Sequence, residues 1–376
     1  MKVDGTAYRS IWSEADGRAV RIIDQTCLPH RFETVRLESL EDTAHAIRAM
    51  LVRGAPLIGA TGAYGLALAL FRDPSDAGLE DAWRFLLATR PTGANLAWAL
   101  EDVAARVRPL PPAERATAAF QRAGALCDED VAINYAIGGH GLELVRAAAA
   151  RKPGRLDILT HCNAGWLATV DWGTALAPIY RAHDDGIEVH VWVDETRPRN
   201  QGAHLTAWEL GRHGVPHTVI VDNAAGHLMQ RGLVDLCIVG TDRTTAAGDV
   251  CNKIGTYTKA LAAHDNGVPF HVALPSPTID WTVSDGLTSI PIEERDPSEV
   301  QRVWGRTEDG TLTSVAVTPP SSAAANYAFD ITPAWLVTGF ITERGLAAPD
   351  GLGRLFPEYQ AAAEQKRTTS HAHHSP

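Results

Sequence analysis

Two side chains in this sequence are placed to handle protons. Cys162 lies in Thr160-His161-Cys162-Asn163-Ala164-Gly165, directly after an apolar run, and Asp242 follows Val239-Gly240-Thr241. A thiol that ends a strand and opens a helix would feel the positive end of the helix dipole, which lowers its pKa and yields thiolate at neutral pH. The competing role for Cys162 is a small buried core residue. A carboxyl at the end of a buried strand loses hydration, so its pKa rises and it can serve as a general acid. For Asp242 the competing role is an N-cap of the segment Arg243–Gly248.

Other segments offer groups for an anion. Asp249-Val250-Cys251-Asn252-Lys253-Ile254-Gly255-Thr256 combines one cation, one amide and a Gly-Thr step into a helix. Lys253 with free backbone N–H groups suits a phosphate; an ordinary polar loop has the same composition. Asp194-Glu195-Thr196-Arg197-Pro198-Arg199-Asn200-Gln201-Gly202 is dense in hydrogen-bonding groups, as a sugar site or a solvated loop would be. Arg53 and Arg90 each sit in a turn beside Gly and Pro, as phosphate-clamping and plain surface turns both do. Gly59-Ala60-Thr61-Gly62-Ala63-Tyr64-Gly65 lacks a preceding strand and the full dinucleotide spacing, and reads as tight helix packing.

The elements that would position these groups fall into two parts. Up to about residue 145, apolar residues recur three or four apart over Leu40–Leu51, Ala60–Phe71, Leu79–Leu87, Ala94–Val107, Pro112–Ala125 and Glu129–Ala149, which predicts helices. Ser39 is placed to cap the first of them and Asp128 the last. Ala19–Ile23 and Arg31–Leu37 are β-prone and predict a small antiparallel sheet. From about residue 150 to 360 the texture changes. Leu156–His161, Ile187–Val193, Thr218–Val221, Val234–Val239 and Phe270–Leu274 are mostly apolar rather than strictly alternating, as strands buried on both faces are. Helical stretches at His204–His213, Ala224–Arg231 and Thr256–Asp265 lie between them. The alternation predicts an α/β fold with a Rossmann-like, doubly wound parallel sheet. Ligands of such sheets sit beyond the carboxyl ends of the strands, where this chain places Cys162, Asp194-Glu195-Thr196, Asp222, Asp242 and Pro275-Ser276. The polar segment 361–376 reads as a disordered tail, and its His371, His373 and His374 as no more than an adventitious metal site.

Composition narrows the class. The chain has 376 residues, 45% of them hydrophobic and 21% charged, enough for two globular domains. A net charge of −11 with no basic block argues against nucleic acid or an anionic membrane as partner. The start MKVDGTAYRSIW does not resemble a leader, and the apolar run Leu57–Phe71 is broken by glycine and short of the ~18 residues of a membrane span. Cys27, Cys127, Cys162, Cys237 and Cys251 are scattered and contain no CxxC pair, as expected of reduced thiols in a cytoplasm rather than a disulfide or zinc framework.

Taken together, RGAPLIG (53–59), RPTGANL (90–96), THCNAGWLAT (160–169), DETRPRNQGAHLTAWEL (194–210), GTDR (240–243), GDVCNKIGTY (248–257), PSPTID (275–280) and IPIEER (290–295) resemble the methylthioribose-1-phosphate isomerase family. That family is related to regulatory subunits of the eukaryotic translation-initiation nucleotide exchange factor. The resemblance implies a helical N-terminal domain, a Rossmann-like C-terminal domain and a homodimer acting on a small phosphorylated sugar, with no cofactor or metal. It carries Cys162 and Asp242 onto the catalytic pair. Arg53, Gly54, Ala55, Arg90, Gln201, Asn252 and Lys253 fall on substrate-binding positions. The implied reaction converts 5-methylthioribose 1-phosphate to 5-methylthioribulose 1-phosphate in methionine salvage. Alternatives are an isomerase of 5-deoxyribose 1-phosphate or ribose 1,5-bisphosphate, or a non-catalytic regulatory subunit. Trp166 and Val170-Asp171-Trp172 stand where smaller residues and Gly-Tyr are expected, which predicts bulky rings near the sugar's 5-substituent.

Overall fold

The computed structural model describes residues 1–90 and 93–363. Its first part holds a three-stranded antiparallel sheet of β1 (Ile11–Ser13), β2 (Val20–Ile23) and β3 (Thr34–Leu37). Five helices follow: α1 (Leu40–Arg48), α2 (Ala55–Arg72), α3 (Asp76–Leu87), α4 (Ala94–Val107) and α5 (Pro112–Ala149). Ser39 caps α1, its side chain accepting from the Asp42 N–H. Asp128 caps nothing. The two helices expected over 112–149 are one helix of 38 residues, with Asp128 inside it and paired to Arg9 at 2.7 Å. No Pro or Gly-Pro step interrupts that stretch, so the helix continues through it.

At 18 residues, α2 is longer than the apolar run suggested, and by length and composition alone it could cross a membrane; 72% of it is buried inside the protein. It is the central helix of an apolar cluster that includes Leu57, Leu66, Leu96, Leu100 and Val103. Gly59 and Gly62 allow the close approach of α4, since a Cβ at either would collide with Asn95 or Leu96.

The second part is built on a seven-stranded sheet. Its chain order runs β4 (Leu156–Thr160), α6 (Leu176–Asp184), β5 (Val189–Asp194), α7 (Ala207–His213), β6 (His217–Ile220), α8 (Ala224–Gln230) and β7 (Leu236–Val239). Then come β8 (Arg243–Thr245), β9 (Val250–Lys253), α9 (Thr256–Asp265), β10 (Phe270–Ala273), β11 (Ile279–Asp280), the hairpin β12 (Arg302–Arg306) and β13 (Leu312–Ala316), β14 (Phe329–Thr332), β15 (Gly339–Thr342) and β16 (Gly345–Ala347). The order across the sheet is β16-β15-β10-β7-β4-β5-β6, parallel except for the β15–β16 pair. Residues of β4, β7 and β10 are buried on both faces, which is why their sequences are apolar rather than alternating. Strand order reverses between β4 and β7, so the crevice of a doubly wound sheet opens there. Cys162 follows β4 and Asp242 follows β7.

Among the elements that went unread in the sequence are β1, α6, the hairpin β12–β13, β15, β16 and a second sheet ordered β11-β8-β9-β14 that carries the Asn252-Lys253 segment. Ala361, Ala362 and Ala363, expected in the tail, are helical, and Ala363 is buried. The rest of the expected tail, with His371, His373 and His374, lies outside the described residues.

Candidate active site

Cys162 is buried and adopts a left-handed backbone, φ 65°, directly after β4. The expected helix start is not there. Asn163, Ala164 and Gly165 intervene, and only a three-residue 3-10 turn, Trp166–Ala168, follows. The lowering by a helix dipole is therefore missing, and burial raises the thiol pKa, against the opposing pull of the Arg53 and Lys253 cations. The thiol donates to Gln201 Oε1 at 3.1 Å. Asp242 matches its expectation better. Burial raises its carboxyl pKa, with Lys253, Arg90 and Arg53 opposing. Lys253 in turn is lowered by burial, while Cys162 and Asp242 raise it. Cys162, Asp242, Arg53, Arg90 and Lys253 thus form one electrostatic cluster.

Two cavities reach the Arg53, Arg90 and Asp242 members of this cluster. The larger, about 500 Å³, is lined by Arg53, Gln201, Arg199, His204 and Trp304 among others. The smaller, about 30 Å³, is lined by Ala55, Arg90 and Asp242 with the apolar Ile58, Leu96 and Phe329. Arg90 has a buried Nε with no partner among the described residues and an Nη2 3.2 Å from Glu293 of the IPIEER segment. Pro91 and Thr92 of its turn lie outside the described residues. Gly54, φ 93°, caps α2 and abuts Ala168, where any Cβ would collide with the Ala168 backbone. Asn252 is buried and donates to Thr256 Oγ1 at 3.0 Å; it lines neither of these cavities. Lys253 Nζ donates to Ala328 O at 2.9 Å and lies 4.5 Å over the Phe329 ring.

Two expectations are corrected here. The backbone N–H groups opening α9 are not free for phosphate: Gly255 N and Tyr257 N donate to the Asp330 carboxylate at 2.7 and 3.1 Å. The bulky rings also lie elsewhere. Trp166 is fully buried against Trp208, and Trp172 packs on Tyr135 with ring centroids 5.3 Å apart. Neither lines the two cavities. Arg197 and Arg199, the two cations of the segment 194–202, are both engaged, Arg197 with Val300 O at 2.8 Å and Arg199 with Glu299 at 2.9 Å.

Sequence reasoning missed the residues that hold Cys162 in place. Its backbone N–H donates to Thr196 Oγ1 at 2.8 Å, and Thr196 N donates to Asp222 at 2.8 Å. Behind them, His161 reaches Asp194 Oδ2 at 2.9 Å and Ile254 O at 2.9 Å, tying β4 to the segment after Lys253. His161, Asp194 and Asp222 bring ligand atoms within 4.8 Å of one another, as a metal would require. The chain supplies its own cation there: Lys259 Nζ lies 3.3 Å from Asp194 and 4.0 Å from Asp222. A signal did exist, since Lys259 is a charged residue on the buried face of α9 beside Ala260 and Ala263.

The model of the initiation factor 2 subunit family (IF-2B) matches residues 51–349, the whole stretch that builds this site. The chain belongs to that family. Its relatives within the family include proteins named methylthioribose-1-phosphate isomerase. That of Rhodospirillum rubrum is 66% identical over 366 residues, covering 95% of this chain and 94% of its own. That of Acidiphilium cryptum is 66% identical over 361 residues, covering 95% and 98%. Among solved structures, the 5-methylthioribose 1-phosphate isomerase of Pyrococcus horikoshii OT3 superposes with a TM-score of 0.80 at 39% identity, covering 94% of this chain and 96% of that one. A family member from A. fulgidus described as translation initiation factor eIF-2B, subunit delta, gives 0.76 at 37% identity, covering 93% and 100%.

Proposed function

We propose that this chain is an aldose–ketose isomerase that converts 5-methylthioribose 1-phosphate to 5-methylthioribulose 1-phosphate in methionine salvage. The observation that carries this reading is the convergence of a buried thiol and a buried carboxyl with Arg53, Arg90 and Lys253, in a chain 66% identical to proteins named for that activity. A purely regulatory member of the family has no need of such a cluster.

The substrate's phosphate occupies the anomeric oxygen, so the furanose cannot open on its own. Asp242, whose protonated form burial favours, donates its proton to the ring oxygen as the bond from C1 to that oxygen breaks. Two routes then balance. In one, a Cys162 thiolate takes the C2 hydrogen as a proton and returns it to C1, and the proton leaving O2 restores Asp242. In the other, that hydrogen passes to C1 with its electron pair, the proton leaving O2 again restores Asp242, and the Cys162 thiol holds a substrate oxygen through its S–H. The raised thiol pKa supports the second, in which Cys162 keeps its proton. Turnover in D2O separates them: deuterium at C1 of the product would overturn the direct shift. Arg53, Arg90 and Lys253 bind the phosphate, with Gln201 and Asn252 as neutral partners and the Gly54-Ala55 backbone beside them. Arg197 donates to Val300 O and Arg199 pairs with Glu299, so a second phosphate on the sugar would have to compete with these partners. A panel of 5-methylthioribose 1-phosphate, 5-deoxyribose 1-phosphate and ribose 1,5-bisphosphate tests the reading, with the highest kcat/KM expected for the first. The proposal extends to a cytoplasmic homodimer, the former supported by five unpaired cysteines; light scattering tests the latter.

A further inference from the structure

We propose that Glu209, a buried carboxylate outside the catalytic pair, is a positioning residue that sets the anion-binding pose of Arg53 through Asn163. The inference rests on the isomerase reading, in which Arg53 holds the phosphate. Glu209 Oε1 accepts from Asn163 Nδ2 at 2.9 Å, and Thr206 Oγ1 meets the same Nδ2 at 3.2 Å. With its nitrogen held on that side, the amide turns Oδ1 toward Arg53, which donates Nη1 to Oδ1 and Nη2 to the Asn163 carbonyl, the latter at 2.7 Å. A flipped amide would present N–H groups to a guanidinium that has only donors. The remaining N–H groups of Arg53 are left for an anion.

Glu209 also fastens the loop that follows the thiol. It accepts from Trp166 N at 2.8 Å, Leu167 N at 3.1 Å and Tyr180 Oη at 2.8 Å. These bonds offset part of the cost of burying a charge in a fully enclosed place, where burial still pushes the carboxyl pKa up to about 7. The chain keeps room for the group: a Cβ on Gly165 would collide with the Glu209 carboxylate. The helix that presents it is irregular. A π turn, Gly202–Thr206, precedes α7, with Ala207 N bonded to Gly202 O. Gln201 meets Cys162 Sγ, Thr206 donates to the Cys162 carbonyl at 2.7 Å, and Glu209 meets Asn163. In a regular helix an offset of five points about 140° away; the wider turn brings Gln201, Thr206 and Glu209 to one face.

The test uses sulfate, a dianion across the working pH range, as a competitor of substrate. Arg53→Ala should raise the sulfate Ki about tenfold or more; an unchanged Ki there would overturn the phosphate reading itself. Given that result, Glu209→Met and Asn163→Ala should each raise Ki and KM by a similar factor, with kcat changed less. Glu209→Gln, which keeps one acceptor, should restore part of the affinity. The Glu209→Met/Asn163→Ala double variant should be no worse than either single one, because both act on one path. Tyr180→Phe removes a different Glu209 partner and serves as the structural control: melting temperature falls, Ki stays within about twofold. Should Glu209→Met not fold, Asn163→Ala against Tyr180→Phe still decides. Equal Ki values for Glu209→Met and Tyr180→Phe, additive losses in the double variant, or an unchanged Ki in Asn163→Ala would each overturn the proposal.

Discussion

Replacing Asp242 by Asn keeps the shape of the side chain and removes its proton donor. Three cations, Lys253, Arg90 and Arg53, pull the Asp242 pKa down, yet burial outweighs them and raises it. Burial therefore favours the protonated form of Asp242, the form a general acid must take. Losing it should lower kcat by about 10²–10⁴, while KM moves little because Asn still fills the site. Stability should move in the opposite sense. The folded pKa lies above the unfolded value of 3.8, so the folded state holds the proton more tightly. The stability this confers is full below the unfolded pKa and is lost as pH rises through the folded one, at about 1.4 kcal/mol per pH unit in between. The Asn variant has no such loss, so its advantage over wild type in urea unfolding should grow with pH. Turnover is followed by 31P NMR, which separates the anomeric phosphate from the primary ester of the ketose. A variant keeping more than about a tenth of wild-type kcat would remove Asp242 from the chemistry, and a stability gap that shrinks with rising pH would refute the burial argument.

Cys162→Ser should likewise abolish most turnover with KM and the circular dichroism spectrum preserved. Arg90→Ala should raise KM about ten- to a hundredfold, because one charge-assisted bond to phosphate is lost; isothermal titration with product measures the same loss directly. Lys259→Met strands Asp194 and Asp222 without their cation and should cost about 3–5 kcal/mol of stability in urea unfolding. Trp172→Phe should leave KM within about twofold, since the ring sits on Tyr135 rather than against a cavity; a larger change in steady-state KM would restore it to the pocket.

The sheet was legible because β4, β5, β7 and β10 are buried on both faces and so are written as mostly apolar runs without strict alternation. The site's outline was legible for the same reason: Cys162 and Asp242 lie within three residues of the ends of two such runs. What hid was non-local or irregular. The second sheet is stitched from strands of two to four residues, too short to show a period. The backbone at Cys162 turns left-handed because Thr196 and Asp222, more than thirty residues away, hold it, and no local pattern near Cys162 records that. Asp330 reaches the start of α9 from a strand 75 residues further on. Glu209 escaped notice because the helical period is broken just before it.

That break has a consequence for chain length. Gln201, Thr206 and Glu209 are what a regular helix would carry at first, fifth and eighth place, with one residue added between the first two. Losing a residue inside a helix normally rotates everything beyond it out of register. Here, removing Ala203 would regularise the coil and return the three side chains to the ordinary spacing of one helical face. The segment therefore carries one residue more than a regular helix would need to bring these three side chains to one face.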